Sequence, residues 1–421
     1  MWLLSFSLFA TWFGAETCIG TSGAVFKEGL SGSRADPFGY SICLFFLGLF
    51  LAKKLWTGGF TTLADFYKKR FNNKIEKLAI LIMVPSTLLW GAAQMRAFGQ
   101  IISTMTDWDV GTALWISFAF VTTYTLLGGL LGDMITDLIQ GIMIAVGLCL
   151  ILFTILQSDF SLYDWWQNLP KEKLNFQASG ESFWQRMDRW SIPIFGSLIA
   201  QELISRVLSA RSPQVAQGAA YSSGVIYLIF GSIPVVLGLM GTELIGELNH
   251  HEDFIIKLAE KFLNPIGFII FSGALISAIL ATIDSILLSV SALVSHNIAV
   301  PLFKIKNEKS KILSARVIVI LSALISVAIA FSSDSIYQLV EVASSFGTAG
   351  ILVVTLLGLH FSWGGQLAAL LALVFGLITT PIAEHVLKLQ APFITAILAS
   401  LVAYLCGALI TQYLSRPLAP S

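Results

Sequence analysis

The stretch from Phe6 to Leu30 is apolar and long enough to cross a bilayer, which takes about 20 residues. Yet Glu16 stands at its middle, with Gly14, Gly20 and Gly23 around it. Each glycine weakens helix propagation by roughly 1 kcal/mol relative to alanine. The run Ala10-Thr11-Trp12-Phe13-Gly14-Ala15-Glu16-Thr17-Cys18-Ile19-Gly20 therefore marks a place where the helix opens. An open helix at membrane depth exposes carbonyls and amides, which is tolerable only where they line a polar cavity or hold something. The first segment thus reads as a binding element that also crosses the membrane.

The rest of the chain repeats the membrane signal. Of 421 residues, 56% are hydrophobic and 12% charged, against about 25% charged in a soluble protein. The fold class expected is an all-α polytopic membrane protein with about 12 transmembrane helices. They fall near 3–29, 37–53, 76–104, 110–128, 134–156, 190–209, 218–243, 265–298, 313–332, 337–359, 363–385 and 391–414. A net charge of zero gives no case for a nucleic-acid partner. Cys18, Cys43, Cys149 and Cys406 lie in apolar runs without metal-ligand spacing, so they read as packing residues. The N-terminus lacks the charged region and cleavage site of a signal peptide and counts as a spanning helix.

Lysine and arginine orient the chain. Lys53, Lys54, Lys68, Lys69, Arg70, Lys74 and Lys77 follow the second helix, Arg206 and Arg211 the sixth, and Lys304 to Arg316 the eighth, with Arg416 in the tail. That side is expected to be cytoplasmic. The polar stretch from Gln157 to Arg189, with Trp165, Trp166 and Trp184, reads as an outer interfacial loop.

The sixth segment is interrupted like the first, by Pro193 and Gly196, and runs into Gln201-Glu202. Paired interrupted segments in the two halves of a membrane chain point to a transporter's midplane site. In the eighth segment, helical spacing sets Ala278, Thr282, Ser285 and Ser289 on one face. Those hydroxyls offer oxygens to a hard cation, or else bond back to their own helix. Glu16 and Glu202 are costly inside a membrane and read as functional. Either they face one cavity and favour a cationic or amine-bearing solute, or Glu16 pairs with Arg96 of the third helix.

These stretches, together with Thr62-Leu63-Ala64-Asp65-Phe66, Thr136-Asp137-Leu138-Ile139-Gln140-Gly141 and Arg206-Val207-Leu208-Ser209-Ala210-Arg211, resemble the sodium:solute symporter family. The resemblance implies the leucine-transporter-type fold: a 5+5 inverted-repeat core with helices one and six discontinuous, plus two further helices. Residues 1–156 and 190–359 would form the two repeats, and 360–421 the peripheral pair. It also implies a sodium site from the carbonyls of Ala10, Phe13 and Ala278 with positions 281 and 282. Thr282 supplies a hydroxyl there, whereas Ala281 stands where the family often has serine. Asp137, with Ser285, matches a second cation site or gate of some members; for Asp137 the competing reading is a cap on the fifth helix.

Locally the chain looks most like the choline-transporting branch, through Ala10-Thr11-Trp12, Pro37-Phe38-Gly39-Tyr40-Ser41 and Trp90-Gly91-Ala92-Ala93. Trp12, Tyr40 and Trp90 would inherit that branch's aromatic cage, while Ala200 replaces a further tryptophan. Family members usually carry a helix before the first core helix; here residue 1 lies a few residues ahead of it. The implied function is Na+-coupled symport of a small polar organic solute, in a bilayer and with no cofactor beyond the coupling ion. A transport-deficient sensor of the same fold is the alternative. No Gly-rich Lys loop, nucleophile elbow or paired-His motif suggests an enzyme.

Overall fold

A computed structural model describes residues 1–414 apart from positions 15, 107, 249 and 334 and the side chain of residue 337. Ala15 of the first motif and Arg416 of the tail therefore lie outside the described residues. Among those described, eight helices are long and apolar enough to span a membrane, and two bent helix pairs make two further spans. Two of the eight are too long for a single crossing. At about 1.5 Å per residue, the 47 residues of Val110–Leu156 would run to about 70 Å, against a hydrocarbon core of about 30 Å. That helix leaves helical geometry at Gly129, with φ 61° and ψ 178°, a conformation that a side chain would disfavour. The 43 residues of Glu16–Gly58 break at Asp36, φ −132° and ψ 124°. Dividing both at those points restores the twelve expected segments.

The first segment runs as Trp2–Trp12, opens, and resumes as a π-helical turn, Glu16–Thr21, followed by Ser22–Glu28. The sixth runs through Phe183–Ile199 and turns by 45° into Gln201–Leu208. Pro193 removes a backbone donor there, but the break falls at Ala200, in extended geometry with ψ 125°. A third interruption was not expected. The tenth segment bends by 42° between Gln338–Ser345 and Thr348–His360, because Gly347 takes the left-handed conformation at φ 66°.

The first and eighth segments form the centre. Trp2–Trp12 packs on Val110–Leu156, Pro213–Leu244 and Pro265–Ser291, and the last of these also packs on Asn73–Thr106. Gln366–Pro381 and Pro392–Leu414 pack chiefly on each other and on Thr348–His360, at the edge. Large apolar side chains such as Leu127, Leu131, Ile139 and Phe153 are exposed along the fifth-segment region. In a multi-pass membrane protein this is the surface that lipid covers.

On the lysine-rich face, Leu63–Arg70 is a short helix closed by a capping box between Thr62 and Asp65. Asn297 Nδ2 donates to Asp65 at 2.7 Å, and the Leu63 amide donates to Gln201 at 3.0 Å. This ties the loop to the sixth segment beside its break. Burial alone would raise the Asp65 carboxyl. Bonds from His296, the Thr61 and Thr62 amides and Asn297 outweigh it and hold the pKa at about 2, below the ordinary 3.8. A depressed folded-state value contributes stability above the unfolded pKa, and that contribution is lost as pH falls towards the folded one. Asp65→Asn is therefore expected to lower the melting temperature of the detergent-solubilised protein at neutral pH. Its deficit should shrink between about pH 4 and pH 2; a deficit independent of pH would refute this account.

Candidate functional site

The opening of the first segment frees backbone groups. The Gly14 amide, which would close the next turn onto Ala10, bonds the Trp12 carbonyl at 2.9 Å instead. Phe13 caps the broken helix with ψ 70°. The eighth segment lies directly against this break. A methyl group at Gly14 would stand 2.5 Å from Thr282 Oγ1 and 2.8 Å from Gln94 Oε1. Ala10, Phe13, Ala278, Ala281 and Thr282, the residues of the implied sodium site, are all buried. The Thr282 hydroxyl lies 3.3 Å from the Ala278 carbonyl and that of Ser285 2.6 Å from Ala281, as helix back-bonding requires. Thr282 Oγ1 lies beside the Gly14 opening.

Next to the break, three aromatic rings meet. The Trp12 centroid lies 5.0 Å from that of Tyr40 and 5.8 Å from that of Trp90. Each indole is held by an acid. Trp90 Nε1 donates to Glu16 Oε2 at 2.6 Å, and Trp12 Nε1 donates to Glu202 Oε1 at 3.4 Å. The partner of Glu16 Oε2 is thus Trp90, and of the two readings the Glu16–Arg96 ion pair is not seen among the described residues. The five residues singled out for the solute, Trp12, Glu16, Tyr40, Trp90 and Glu202, therefore form one bonded cluster across four segments.

A cavity adjoins that cluster, walled by Tyr40, Ser86, Trp90, Ala200, Glu202 and Ser344 among others. It lies where the sixth and tenth segments both break. Tyr40 and Ser344 also line a neighbouring cavity, which shares Arg34, Arg189 and Glu341 with a wide opening beside Lys27 and His251. The route points to the face that the lysine distribution assigns to the outside. Arg34 is buried, and its Nη1 donates to Glu181 at 2.6 Å.

One helical turn beyond Glu202, a buried ionic knot joins the first, fifth and sixth segments. Arg206 is fully buried, although sequence position suggested a cytoplasmic loop. Its guanidinium donates to Ser7 Oγ at 2.8 Å and to Asp133 Oδ2 and Asp137 Oδ2 at 2.7 Å each. It also bonds Ser285 Oγ, and Ser7 donates to Asp137 at 2.6 Å. Asp137 is therefore no helix cap; its Oδ2 is engaged from the first and sixth segments. Sequence reasoning missed Asp133, Ser7 and the burial of Arg206, although two aspartates one helical turn apart in an apolar run were a readable signal. It also missed Asp36, whose Oδ2 lies 2.9 Å from the Tyr227 hydroxyl and is bonded by Thr17 beside the opening.

Together these features define a multi-pass integral membrane protein with broken helices around a buried polar site. The likeness to solved structures places its fold. A Na+-coupled sialic acid symporter, in a substrate-bound outward-open state, superposes with a TM-score of 0.81 at 17% identity, over 100% of this chain and 91% of that one. MhsT in complex with L-phenylalanine gives 0.61 at 15% identity, over 97% of each chain. The fold is the leucine-transporter type, as the family resemblance implied.

A family profile, the sodium:solute symporter family, matches residues 1–376. The chain belongs to that family. Among its relatives, the high-affinity choline transporter of Drosophila melanogaster is 26% identical over 376 residues, 85% of this chain and 59% of that protein. The human high-affinity choline transporter is 27% identical over 310 residues, 70% and 53% respectively. The high-affinity proline transporter PutP of Bacillus subtilis is 25% identical over 383 residues, 86% and 79%. The chain thus spans between about half and three fifths of the length of those two choline transporters.

Proposed function

We propose that this chain is a secondary active transporter that couples Na+ entry to uptake of a small polar organic solute, cationic or amine-bearing, across the plasma membrane by alternating access. The observation that carries it is the meeting of two broken helices at one buried polar site. The opening of the first segment faces Thr282 on one side and the acid-held indoles on the other. Unwound carbonyls suit a desolvated Na+, and broken spans are where such folds hold ions and solutes. Residues 1–156 and 190–359 act as the two repeats that rock against each other, with 360–421 as peripheral support. Ala10, Phe13, Ala278, Ala281 and Thr282 hold the ion; Trp12, Glu16, Tyr40, Trp90 and Glu202 hold the solute. Asp137 and Ser285, tied to Arg206, serve the inner gate. Ligand relationships among the choline and proline transporters support a solute of this size.

The test is uptake into proteoliposomes under an inward Na+ gradient with choline, betaine and proline. Accumulation driven by Na+ is expected for at least one of them. Thr282→Ala, which removes the one side-chain oxygen of the ion site, is expected to abolish the Na+ dependence. Ala281→Ser adds an oxygen and should lower the Na+ concentration for half-maximal uptake. Solute binding with no accumulation under any gradient would defeat the transporter reading and favour a sensor of the same fold.

A further inference from the structure

Several donors in and beside the solute cavity are already engaged. Trp12 and Trp90 spend their indole N–H groups on Glu202 and Glu16. Ser86 donates to the Ala343 carbonyl at 2.7 Å, Thr87 to Met83 at 3.0 Å and Thr348 to Ser344 at 2.6 Å. Acceptors are left over. Glu16 Oε1 and Glu202 Oε2 are buried, and neither has a hydrogen-bond partner among the described residues. Both parent residues are almost wholly enclosed, at 5% and 1% exposure. A buried carboxylate oxygen without a donor is costly, so a ligand that brings N–H groups gains most here.

The aromatic rings speak to the same choice. A quaternary ammonium needs ring faces standing apart around it, within about 6 Å of each centroid. Here Trp12 lies against Tyr40 and Trp90 at the separations of directly packed rings. At the break of the sixth segment, Ala200 offers the cavity only a methyl group. Trp12 does not line the cavity, so these three rings do not surround a ligand there, and a compact ammonium is left to bond Glu202.

We infer that the solute is an ammonium bearing N–H bonds, a primary or secondary amine, with Glu202 of the cavity wall as its acceptor, and not a quaternary ammonium. This rests on the reading of the cavity as the site of a cationic solute. It separates the chain's chemistry from that named for its choline-transporting relatives.

The test uses the purified full chain with Na+ present and a series that differs only in N–H count. Ethanolamine, N-methylethanolamine, N,N-dimethylethanolamine and choline are titrated by calorimetry, with the neutral choline isostere 3,3-dimethylbutan-1-ol alongside. Affinity is expected to fall with each methyl, leaving choline at least about tenfold weaker than ethanolamine, the loss of one hydrogen bond to a charged group. Glu202→Gln should shrink that ratio. Choline binding tightest, equal affinity along the series, or a ratio unchanged in Glu202→Gln would each overturn the inference while leaving a cation site in place. If no amine binds, or the neutral isostere binds as well as they do, the cationic reading itself falls and takes the inference with it.

Discussion

Arg206→Gln is expected to cost about 3–5 kcal/mol of stability, the usual penalty for removing one partner of a buried ion pair. The guanidinium sits between Asp133 and Asp137, and its Nη2 contacts both carboxylates at 2.7 Å. Without it, two buried acids keep Ser7 and Ser285 as hydrogen-bond donors, with the buried carboxyl of Asp284 close by. Glutamine keeps much of the volume and can still donate to one of them, so the loss reports charge more than packing. The measurement is the thermal midpoint of the detergent-solubilised protein, together with the yield of monodisperse material. A second change separates the causes. In Arg206→Gln/Asp137→Asn one excess charge is removed, and the coupling between the two sites should return part of the loss, in the range of about 0.5–3 kcal/mol. A single variant as stable as the wild type, or a double variant with purely additive losses, would show that the knot is not held by charge.

Gly14→Ala is expected to weaken sodium coupling while the protein still folds. The added methyl would come 2.5 Å from Thr282 Oγ1, 2.8 Å from Gln94 Oε1 and 3.2 Å from Thr282 Cβ. Overpacking of this kind costs about 1–3 kcal/mol. It acts at the point where the opened first segment and the eighth segment must approach, so relief comes from separating them. Since about 1.4 kcal/mol is a factor of ten in affinity, half-maximal uptake should require at least about tenfold more Na+. Gly20→Ala is the control. No atom lies within 4 Å of a methyl there, so transport should be retained apart from a small effect on local helix geometry. If the two variants behaved alike, the consequence would belong to helix propensity rather than to the contact with Thr282.

The sequence announced that the first and sixth segments are interrupted because helix-breaking residues act locally, although in the sixth the break itself falls at Ala200, beyond Pro193 and Gly196. Glycines, a proline and a carboxylate in an apolar run disturb the helix wherever the chain folds. Gly129 and Gly347 were equally visible, but a glycine is compatible with both helical and left-handed backbone. Only the packed structure shows that each leaves the helix. Arg206 illustrates a different limit. Near the end of a span, an arginine satisfies a charge count as well from inside the protein as from a loop. Its burial depends on Asp133 and Asp137, 73 and 69 positions away. The same holds for Glu16: intramembrane cost marked it as functional, yet whether Trp90 or Arg96 would meet it depended on which face of the third helix turned inward.

What the sequence determined by itself was the membrane class, the twelve segments and the residue types around the site. Segment length, apolarity and helix-breaking chemistry act over neighbouring residues and are written in order along the chain. The tertiary structure decided the pairings: indole to glutamate, arginine to two aspartates, opened backbone to Thr282. Those contacts join residues from different spans, and the rotation and depth of each helix are set by packing against the others rather than by its own residues.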